Sequence, residues 1–288
     1  MPLRQALAPA LDLLTTLYQR PDSIAMDPLS VPLSYSEPWD RELAAWVAAH
    51  LAYGRVAPML KAIRSALAPM GSHPSFWLRS QSQAQARKVL EASLKGWVWR
   101  FHTANDLVEW ILAWKRLDEA SAFQGVESHL LPRLGTSPDE CLSRLVQSLR
   151  LELPPSRGTR FSLPDPLEGA ACKRWRMFLR WMVREGWPDL GQWKHYPKVA
   201  LMIPLDTHVS RISRMIGLTT RSTPDARMVE EITTALRLLD PVDPIRFDFA
   251  LSHLGILGDC PGLRSLPRCA PCPLVEICGA GVTKRKTP

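Results

Sequence analysis

Four cysteines near the C-terminus have a spacing that is typical of a metal centre. Cys260, Cys269, Cys272 and Cys278 are separated by eight, two and five residues, and the prolines between them cannot continue a helix. We therefore expect a loop that folds around a ligand. Four thiolates so close together along the chain favour a [4Fe–4S] cluster.

Two other states of these cysteines remain open. A structural zinc is the first alternative, although zinc sites favour two separated short Cys pairs and this loop contains one, Cys269 and Cys272. Disulfides are the least expected state, because the N-terminal sequence Met-Pro-Leu-Arg-Gln lacks the pattern of a secretory signal peptide.

A basic face follows the glycine at position 169. Lys173, Arg176, Arg180 and Arg184 share one side of an amphipathic helix whose other side is apolar. Like charges at this spacing repel, so the face requires anionic partners, which are either acidic side chains of the same fold or nucleic-acid phosphates. Lys173 lies at the helix start, where the helix dipole disfavours a charged ammonium, as suits a nucleophilic amine. Taken alone, it also fits an ordinary surface lysine.

An aspartate begins another predicted helix. Asp206 precedes the helical pattern of Val209, Ile212 and Ile216, so we expect it to be the N-cap. A carboxylate at this position is favoured in its charged form, as a charge stabiliser or the activator of a nucleophile must be. Capping alone also explains an aspartate here.

The elements that carry these residues are expected to be helices. Apolar residues recur at helical spacing along nearly the whole chain, and no convincing alternating strand pattern is present, so the sequence predicts an all-α fold. The predicted helices cover 3–19, a segment capped by Asp40 that ends near Gly54, 56–68, a segment capped by Thr103 or Asn105, one opened by a capping box at Ser137, one opened by Thr223-Pro224 and one opened by Asp243-Pro244. The Pro-rich segments 21–38 and 152–168 are expected to be loops.

The overall charge indicates a polyanionic partner. The 288 residues carry a net charge of +8, and the sequence pI is about 9.4, as is common among nucleic-acid-binding proteins. No apolar run is long enough for a membrane span, so we expect no membrane partner. Together with a thiolate-bound metal, these features predict a cytoplasmic, nucleoid-associated protein that is a monomer.

The order of the motifs resembles that of endonuclease III and its relatives, which are DNA glycosylases of the helix-hairpin-helix superfamily. The segment 205–212, Leu-Asp-Thr-His-Val-Ser-Arg-Ile, followed by the four-cysteine loop, carries the resemblance, which covers about residues 160–278. It implies that Asp206 is the catalytic carboxylate and that the cysteines hold a [4Fe–4S] cluster. It also implies that Lys173, at the end of a hairpin over 163–173, is the nucleophile.

Several features differ from the family pattern. The hairpin contains a single glycine, Gly169, and the first gap between cysteines is longer. Asp206 follows Lys173 by 33 positions, a separation more similar to that of the archaeal 8-oxoguanine glycosylases. The chain is therefore identified as a member of a divergent bacterial branch of the superfamily. Lys194 and Lys198 lie between the two residues and are the alternative nucleophiles if this hairpin alignment is wrong.

The resemblance implies a two-lobed architecture. One lobe would be helical and cover about residues 37–200, including the hairpin. The other would combine residues 1–36 with 201–288, including the cysteine loop over 260–278.

The resemblance also implies an activity in base excision repair. The expected reaction is excision of a damaged base from duplex DNA through a lysine Schiff base, with AP lyase activity. The expected target is an oxidised base such as 8-oxoguanine. The alternative is a [4Fe–4S] nucleic-acid-binding protein on the same scaffold that lacks turnover. The residues expected to contact DNA are Gly169, Arg176, Arg180, Arg184, His208, Arg211 and Arg214.

Overall fold

The computed structural model describes residues 2–132 and 135–279, and the secondary structure in these ranges is almost entirely helical, which confirms the all-α fold class. The helices before the hairpin are α1 (Pro2–Tyr18), α2 (Pro21–Ala25), α3 (Pro38–Leu51), α4 (Val56–Leu67), α5 (Pro74–Ser80), α6 (Gln83–Ser93), α7 (Ala104–Ala120), α8 (Glu127–Leu130) and α9 (Pro138–Glu152). Those that follow are α10 (Arg157–Ser162), α11 (Lys173–Val183), α12 (Thr207–Met215), α13 (Ala226–Arg237), α14 (Asp248–Ile256) and α15 (Leu266–Cys269).

A two-stranded antiparallel ribbon is present within the described ranges. It pairs β1 (Val98–Trp99) with β2 (His102–Thr103), and places Val98 opposite Thr103 and Trp99 opposite His102. Each strand has two residues, which is too short to show an alternating pattern in the sequence.

Capping boxes set the start of two long helices. Ser137 accepts a hydrogen bond from the main-chain N–H of Glu140, whose side chain accepts one from the N–H of Ser137, and α9 begins at the next residue. Thr103 and Asp106 form the same arrangement at the start of α7. The predicted capping box at Ser137 is therefore confirmed, and of the two candidate caps of α7, Thr103 and Asn105, the structure has Thr103.

The predicted cap at Asp40 is wrong. Helix α3 begins at Pro38, which places Asp40 inside the first turn. Its Oδ1 accepts hydrogen bonds from the main-chain N–H of Ser75 at 2.8 Å and from the Ser75 hydroxyl at 2.6 Å. Asp40 therefore caps the start of α5, an element that is distant along the chain.

Helix α3 is the centre of the first group of helices. It packs against α4, α5, α7 and α11. Its Trp46 is fully buried and stacks on Trp110 of α7, with ring centroids 4.6 Å apart, while Trp175 of α11 meets the same ring edge-on. These three tryptophans therefore belong to the core and are not available to stack on bases.

The second group of helices joins the two ends of the chain. Helix α14 packs against both α1 and α12, so the N-terminal helix meets the C-terminal half of the chain. The short 3-10 turns at Pro28–Ser30 and Pro32–Ser34 instead pack against α3. They bury Leu29 and Val31, so their contacts lie with the lobe that was predicted to begin at residue 37. The outermost residues assigned to the second lobe, 1 and 280–288, lie outside the described ranges.

Candidate functional site

Lys173 begins α11 at the end of a tight turn. Helix α10 is followed by a 3-10 turn over Pro166–Glu168, and then by Gly169 at φ +89°, a conformation that favours glycine. Cys172, directly before Lys173, also has a left-handed backbone at φ 50°. The two reversals turn the chain so that Lys173 is the first residue of a new helix, as the sequence predicted.

Asp165 fixes this turn to α9. Its Oδ1 accepts a hydrogen bond from the main-chain N–H of Leu167 at 2.9 Å, and its Oδ2 accepts one from the hydroxyl of Ser143 on α9 at 2.8 Å. Asp165 is almost fully buried, so the position of the turn is set by packing as well as by its own backbone.

Cys172 does not compete with Lys173 as a nucleophile. Its thiol is buried and lies 3.3 Å from the main-chain oxygen of Pro164, to which it donates. Burial raises the pKa of Cys172 to about 12, so the group is a neutral thiol near pH 7, whereas attack requires a thiolate.

Asp206 is the N-cap of α12, which confirms the predicted cap. Its Oδ1 accepts a hydrogen bond from the main-chain N–H of Val209 at 2.7 Å. The carboxylate is half-buried at the edge of a large cleft. Capping therefore orients the group without removing it from solvent.

Lys173 and Asp206 line the same cleft, which has a volume of about 790 Å³. The cleft is bounded by the segment after α3, the hairpin turn, α11, the start of α12 and α14. Among the lysines of the described ranges, Lys173 is the one that lines it, and its Nζ has no hydrogen-bond or ion-pair partner there. Lys194 lies outside the cleft and its Nζ is 2.6 Å from Glu185. Lys198 does not line the cleft either.

His208 lies in the first turn of α12 and lines the cleft. It also packs against Gly255 of α14. A Cβ atom added to Gly255 would lie only 2.3 Å from the Nδ1 atom of His208. The absence of a side chain at Gly255 therefore allows α12 and α14 to approach closely enough to close this side of the cleft.

An aromatic wall, formed by Tyr53, Phe101 and Phe161, extends from the cleft towards the surface. Tyr53 and Phe161 line the cleft, and their ring centroids lie 4.8 Å apart. Phe101 is nearly parallel to Tyr53 at 5.8 Å. The guanidinium of Arg174 lies 3.7 Å from the Phe161 ring centroid, which is a cation–π contact. These residues come from three segments that are distant along the chain, and only the fold brings them together.

Hydrogen bonds hold Tyr53 in this wall. Its hydroxyl donates to the main-chain oxygen of Trp99 at 3.0 Å and lies 2.6 Å from the Nδ1 atom of His102. Burial lowers the pKa of His102 to about 4, so its ring is neutral near pH 7. The ring Nε2 of His102 lies 2.7 Å from the Ser162 hydroxyl on α10, which connects the wall to the hairpin.

The predicted DNA-contacting face on α11 is wrong for three of its arginines. Arg176, Arg180 and Arg184 are 2%, 4% and 8% exposed. Each one pairs with carboxylates of the same fold. Arg176 pairs with Asp139 at 3.0 Å, Arg180 with Asp189 at 3.0 Å and with Asp248, and Arg184 with Asp189 and with Asp243 at 3.0 Å.

The reason for this error is the position of the acidic partners. Asp139 lies at the start of α9, and Asp243 and Asp248 lie near α14, so they are remote from α11 along the chain. Asp189 accepts from both Arg180 and Arg184. Carboxylates of the same fold therefore neutralise these arginines, and nucleic-acid phosphates are not required to relieve the repulsion between them.

Exposed arginines on the rim of the aromatic wall replace this face as candidates for phosphate contact. We call Arg55, Arg100 and Arg157 the rim arginines, and all three are exposed. Arg55 lines the cleft. Arg100 lies against Gly54, and Arg157 stacks on the Phe101 ring at 4.4 Å. Tyr53-Gly54-Arg55 and the segment ending at Phe101 are distant along the chain, and only the fold brings them together.

The remaining predicted DNA contacts divide into two kinds. Gly169 and Arg214 are exposed, and Arg214 has no ion pair or hydrogen bond from its side chain in the part of the chain that the structure describes. Arg211 is different, because its Nη2 donates to the main-chain oxygen of Cys260 at 3.0 Å. Its role is to support the cysteine loop, so the predicted phosphate contact is not supported for Arg211.

The four cysteines of the loop line one small apolar cavity. Cys260, Cys269, Cys272 and Cys278 face a space of about 30 Å³, together with apolar side chains of α12 and α14. All four thiols are free. Burial raises the pKa of Cys272, and the other three cysteines add to this increase, which shows that the four sulfur atoms lie near one another.

These cysteines are near one another without forming a finished ligand set. Within residues 2–132 and 135–279, no group of three or more His, Cys, Asp or Glu side chains is arranged closely enough to hold a metal ion. Four free thiols around an apolar cavity nevertheless fit the donor set of a [4Fe–4S] cluster. Compact tetrahedral zinc ligation would also use four such sulfurs, so geometry leaves both ligands open.

None of the helices in the described ranges combines the length and the apolar character that a membrane crossing demands. The comparisons with curated proteins and with solved structures give no match. A family model described as "Protein of unknown function (DUF2400)" matches residues 27–257, which include the cleft and end before the cysteine loop. Because this match covers most of the chain, the protein belongs to the DUF2400 family.

Proposed function

We propose that this protein is a DNA repair glycosylase that excises a damaged base from duplex DNA, with Lys173 as the nucleophile. The observation that carries the proposal is that Lys173 and Asp206 line one cleft, although 33 positions separate them in the sequence. The helical fold and the resemblance to endonuclease III are consistent with this activity.

The two residues have complementary chemistry. The amine of Lys173 would attack C1′ of the target sugar, expel the base and form a Schiff base. The adjacent strand would then break by β-elimination, which is AP lyase activity. Asp206 is held by the Val209 N–H at the edge of the cleft, where a fixed carboxylate can stabilise the positive charge that develops on the sugar.

The cleft is suited to a nucleotide that has left the stack. Base excision requires the target to be flipped into a pocket, and 790 Å³ is within the usual volume of small-molecule sites. Tyr53 and Phe161 would offer aromatic surfaces for an extruded base, and an oxidised base such as 8-oxoguanine is the proposed target. The rim arginines would contact phosphates on either side.

The cysteine loop would hold a [4Fe–4S] cluster with a structural role. Arg211 connects the loop to α12, the helix that Asp206 caps. A cluster held by Cys260, Cys269, Cys272 and Cys278 would fix the end of this helix and present Arg264 and Arg268 near DNA. When bound, it supplies folding energy to a loop with few apolar residues of its own.

Borohydride trapping tests the proposal. Purified protein would be mixed with duplexes that each contain one damaged base, including 8-oxoguanine, or an abasic site. Borohydride reduces a Schiff base to a stable covalent adduct, which is detected as a shifted band in a denaturing gel. We expect an adduct with wild-type protein and none with Lys173→Gln, while binding of the duplex is retained because a single charge is lost.

Lys194→Gln is the matched control, because this lysine lies in the same region of sequence but outside the cleft. Trapping that persists in Lys173→Gln and disappears in Lys194→Gln would reassign the nucleophile. The absence of an adduct and of base release on every duplex, with salt-sensitive binding intact, would support the alternative of a nucleic-acid-binding protein without turnover.

A further inference from the structure

We propose that Asp248 joins Asp206 as a second functional carboxyl group of the cleft, and that its free carboxylate oxygen accepts the proton that Lys173 must lose before it attacks a sugar carbon. This inference rests on the proposed function and deepens it, because it adds a proton acceptor that neither the sequence motifs nor the family match assigns.

The geometry of Asp248 distinguishes it from the other buried carboxylates. It is the first residue of α14, lines the same cleft as Lys173 and Asp206, and is 2% exposed. Its Oδ2 accepts a hydrogen bond from Arg180. Its Oδ1 is buried and has no hydrogen-bond partner among the described residues. A buried carboxylate oxygen without a partner is costly, so this atom is placed to receive a donor that arrives with, or moves towards, a ligand.

Asp248 and Asp206 differ in their burial and in their hydrogen-bond partners. Asp206 is half-exposed and hydrogen-bonded by a main-chain N–H. Burial raises the pKa of Asp248 to about 6, against the lowering effect of Arg180, and the negative charges of Asp206 and Asp189 add to the increase. A buried carboxyl group with a raised pKa beside a second, hydrogen-bonded carboxyl group is a usual arrangement for dividing proton transfer from charge stabilisation.

Several elements contribute charged or titratable groups to the surroundings of Asp248. Arg180 on α11 is its direct partner, and Asp189 is the second partner of that arginine. His253, on the same helix as Asp248, lies 3.6 Å from Asp27 and has a pKa lowered by burial. The charged or titratable groups that share the cleft with Asp248 are Asp27, Tyr53, Arg55, Cys172, Lys173, Arg174, Arg180, Asp206 and His208.

The proton transfers balance on an abasic aldehyde. An N–H bond of the Lys173 ammonium breaks and the proton forms an O–H bond with Asp248 Oδ1, which leaves a neutral amine and a neutral acid. The amine lone pair then bonds to C1′ as the π bond of the aldehyde C=O breaks, and a proton passes from the nitrogen to the resulting alkoxide to give a carbinolamine. The nitrogen lone pair next forms the C1′=N bond and expels the hydroxyl group. The proton on Asp248 converts that hydroxyl to water as the C1′–O bond breaks, which yields the protonated Schiff base and restores the carboxylate.

This scheme fixes the direction of the pH dependence. Below a pH of about 6 Asp248 is largely protonated and cannot accept a proton, and above it the carboxylate form is available. The rate of Schiff-base formation should therefore rise as the pH increases through about 6.

The test is the pH profile of borohydride trapping on a duplex with one abasic site, measured with protein in excess between about pH 5 and about pH 8. The variants are Asp248→Asn and Asp189→Asn. Asp189 is the matched control, because it is a buried partner of the same Arg180 but does not line the cleft. We expect the wild-type rate to rise through about pH 6, and Asp248→Asn to lose this rise and to be at least about 100-fold slower above pH 7, the lower end of the range for general acid–base catalysis. Asp189→Asn should keep the rise, even if its melting temperature falls.

Several outcomes would overturn the role of Asp248. These are a wild-type rate that does not change between about pH 5 and about pH 7, a rise that persists in Asp248→Asn, and a rise that is lost equally in Asp189→Asn. The last result would assign the effect to the ion pairs of Arg180 and not to the free oxygen.

A binding measurement separates this inference from the proposed function and does not need turnover. Wild-type protein would be titrated with a duplex that contains a cationic pyrrolidine in place of the sugar, and with one that contains the neutral tetrahydrofuran analogue. The preference for the cation should increase between about pH 5.5 and about pH 7.5 as Asp248 loses its proton, and fall several-fold in Asp248→Asn but not in Asp189→Asn. If no abasic or damaged duplex forms an adduct or releases a base, the glycosylase proposal fails. A cation preference that is independent of pH in the wild type, or unchanged in a folded Asp248→Asn, overturns the role of Asp248.

Discussion

Arg211 donates a hydrogen bond from Nη2 to the main-chain oxygen of Cys260 at 3.0 Å. This contact joins α12, the helix that Asp206 caps, to the first cysteine of the loop. Gly262 makes it possible, because a Cβ atom there would lie 2.6 Å from the Arg211 Nη1. The carboxylate of the cleft and the cysteine loop are therefore parts of one structural unit.

The first prediction concerns this contact. Arg211→Ala should lower the free energy of unfolding by about 1–3 kcal/mol, because it leaves a main-chain oxygen without its partner. It should also reduce the metal content per chain. Arg214→Ala is the control: this exposed arginine follows on the same helix, and its loss should change stability by less than about 0.5 kcal/mol. Denaturant unfolding and metal analysis measure both effects, and equal stability of the two variants would contradict a supporting role for Arg211.

The second prediction concerns the metal itself. Freshly purified protein should be brown and contain iron and sulfide, with broad absorbance near about 400 nm, as the proposed cluster requires. Replacement of any one of Cys260, Cys269, Cys272 or Cys278 by Ser should lower the iron content and the soluble yield. Cys141→Ser is the control, since this buried cysteine lies outside the loop cavity. Colourless protein with one zinc per chain would end the cluster assignment and leave the glycosylase proposal intact.

The third prediction concerns DNA binding. Arg55→Ala, Arg100→Ala or Arg157→Ala should each weaken binding to duplex DNA, regardless of sequence. Each should also reduce the slope of log K against log salt by about 0.9, the value for one phosphate contact. Lys194→Ala, which removes an exposed charge outside the cleft, should leave the slope unchanged. Arg176→Ala should instead destabilise the fold, because it leaves Asp139 without its buried partner. A full salt slope in all three rim variants would show that DNA binds elsewhere.

The fourth prediction concerns a buried glutamate that lies apart from the cleft. Glu42 accepts hydrogen bonds from the indole N–H groups of Trp114 and Trp193 and from the main-chain N–H of Val126. Burial nevertheless raises the pKa of Glu42 to about 7, from an ordinary value of 4.5. Between these two values the folded state binds a proton that the unfolded state has released, so the free energy of unfolding should fall as the pH rises.

Glu42→Gln should remove this part of the pH dependence. It should also destabilise the protein at every pH by about 1–3 kcal/mol, because an amide N–H would face one of the three donors. Urea unfolding of both proteins at several values between about pH 4.5 and about pH 7 provides the measurement. Parallel stability curves for the wild type and Glu42→Gln would show that Glu42 does not titrate in this range.

Features encoded by neighbouring residues could be predicted from the sequence. The capping boxes at Ser137 and Thr103 and the cap at Asp206 depend on side chains three residues apart. The start of α11 at Lys173 followed from the glycine turn and the helical pattern beyond it. The clustering of the cysteines followed from their short spacing.

Features that depend on distant partners could not be predicted. The arginines of α11 have a charge pattern that is compatible with DNA or with internal pairing, and only the fold shows that Asp139, Asp189 and Asp243 neutralise them. The start of α14 was predicted at Asp243-Pro244, but the helix begins at Asp248. Asp243 pairs with Arg184 instead. Because α14 starts later than predicted, Asp248 is its first residue and lines the cleft, a position that the sequence did not predict.

The last prediction separates the two roles of Asp206. Asp206→Asn should reduce base excision by about 10²–10³-fold, because a neutral amide no longer stabilises the positive charge that develops on the sugar. Its effect on stability should stay below about 1 kcal/mol, since Asn is about as good an N-cap as Asp. Single-turnover base release and thermal unfolding of the same preparation measure the two effects.

Asp225→Asn is the matched control for this prediction. Asp225 caps α13 through its Oδ1 and the Met228 N–H at 2.9 Å, in the same geometry as Asp206, but it does not line the cleft. The two variants should have similar melting temperatures, and only Asp206→Asn should lose activity. If both variants retained full base release, the carboxylate of Asp206 would be a helix cap alone. If both lost it in proportion to their stability, the loss would be caused by unfolding and not by missing charge.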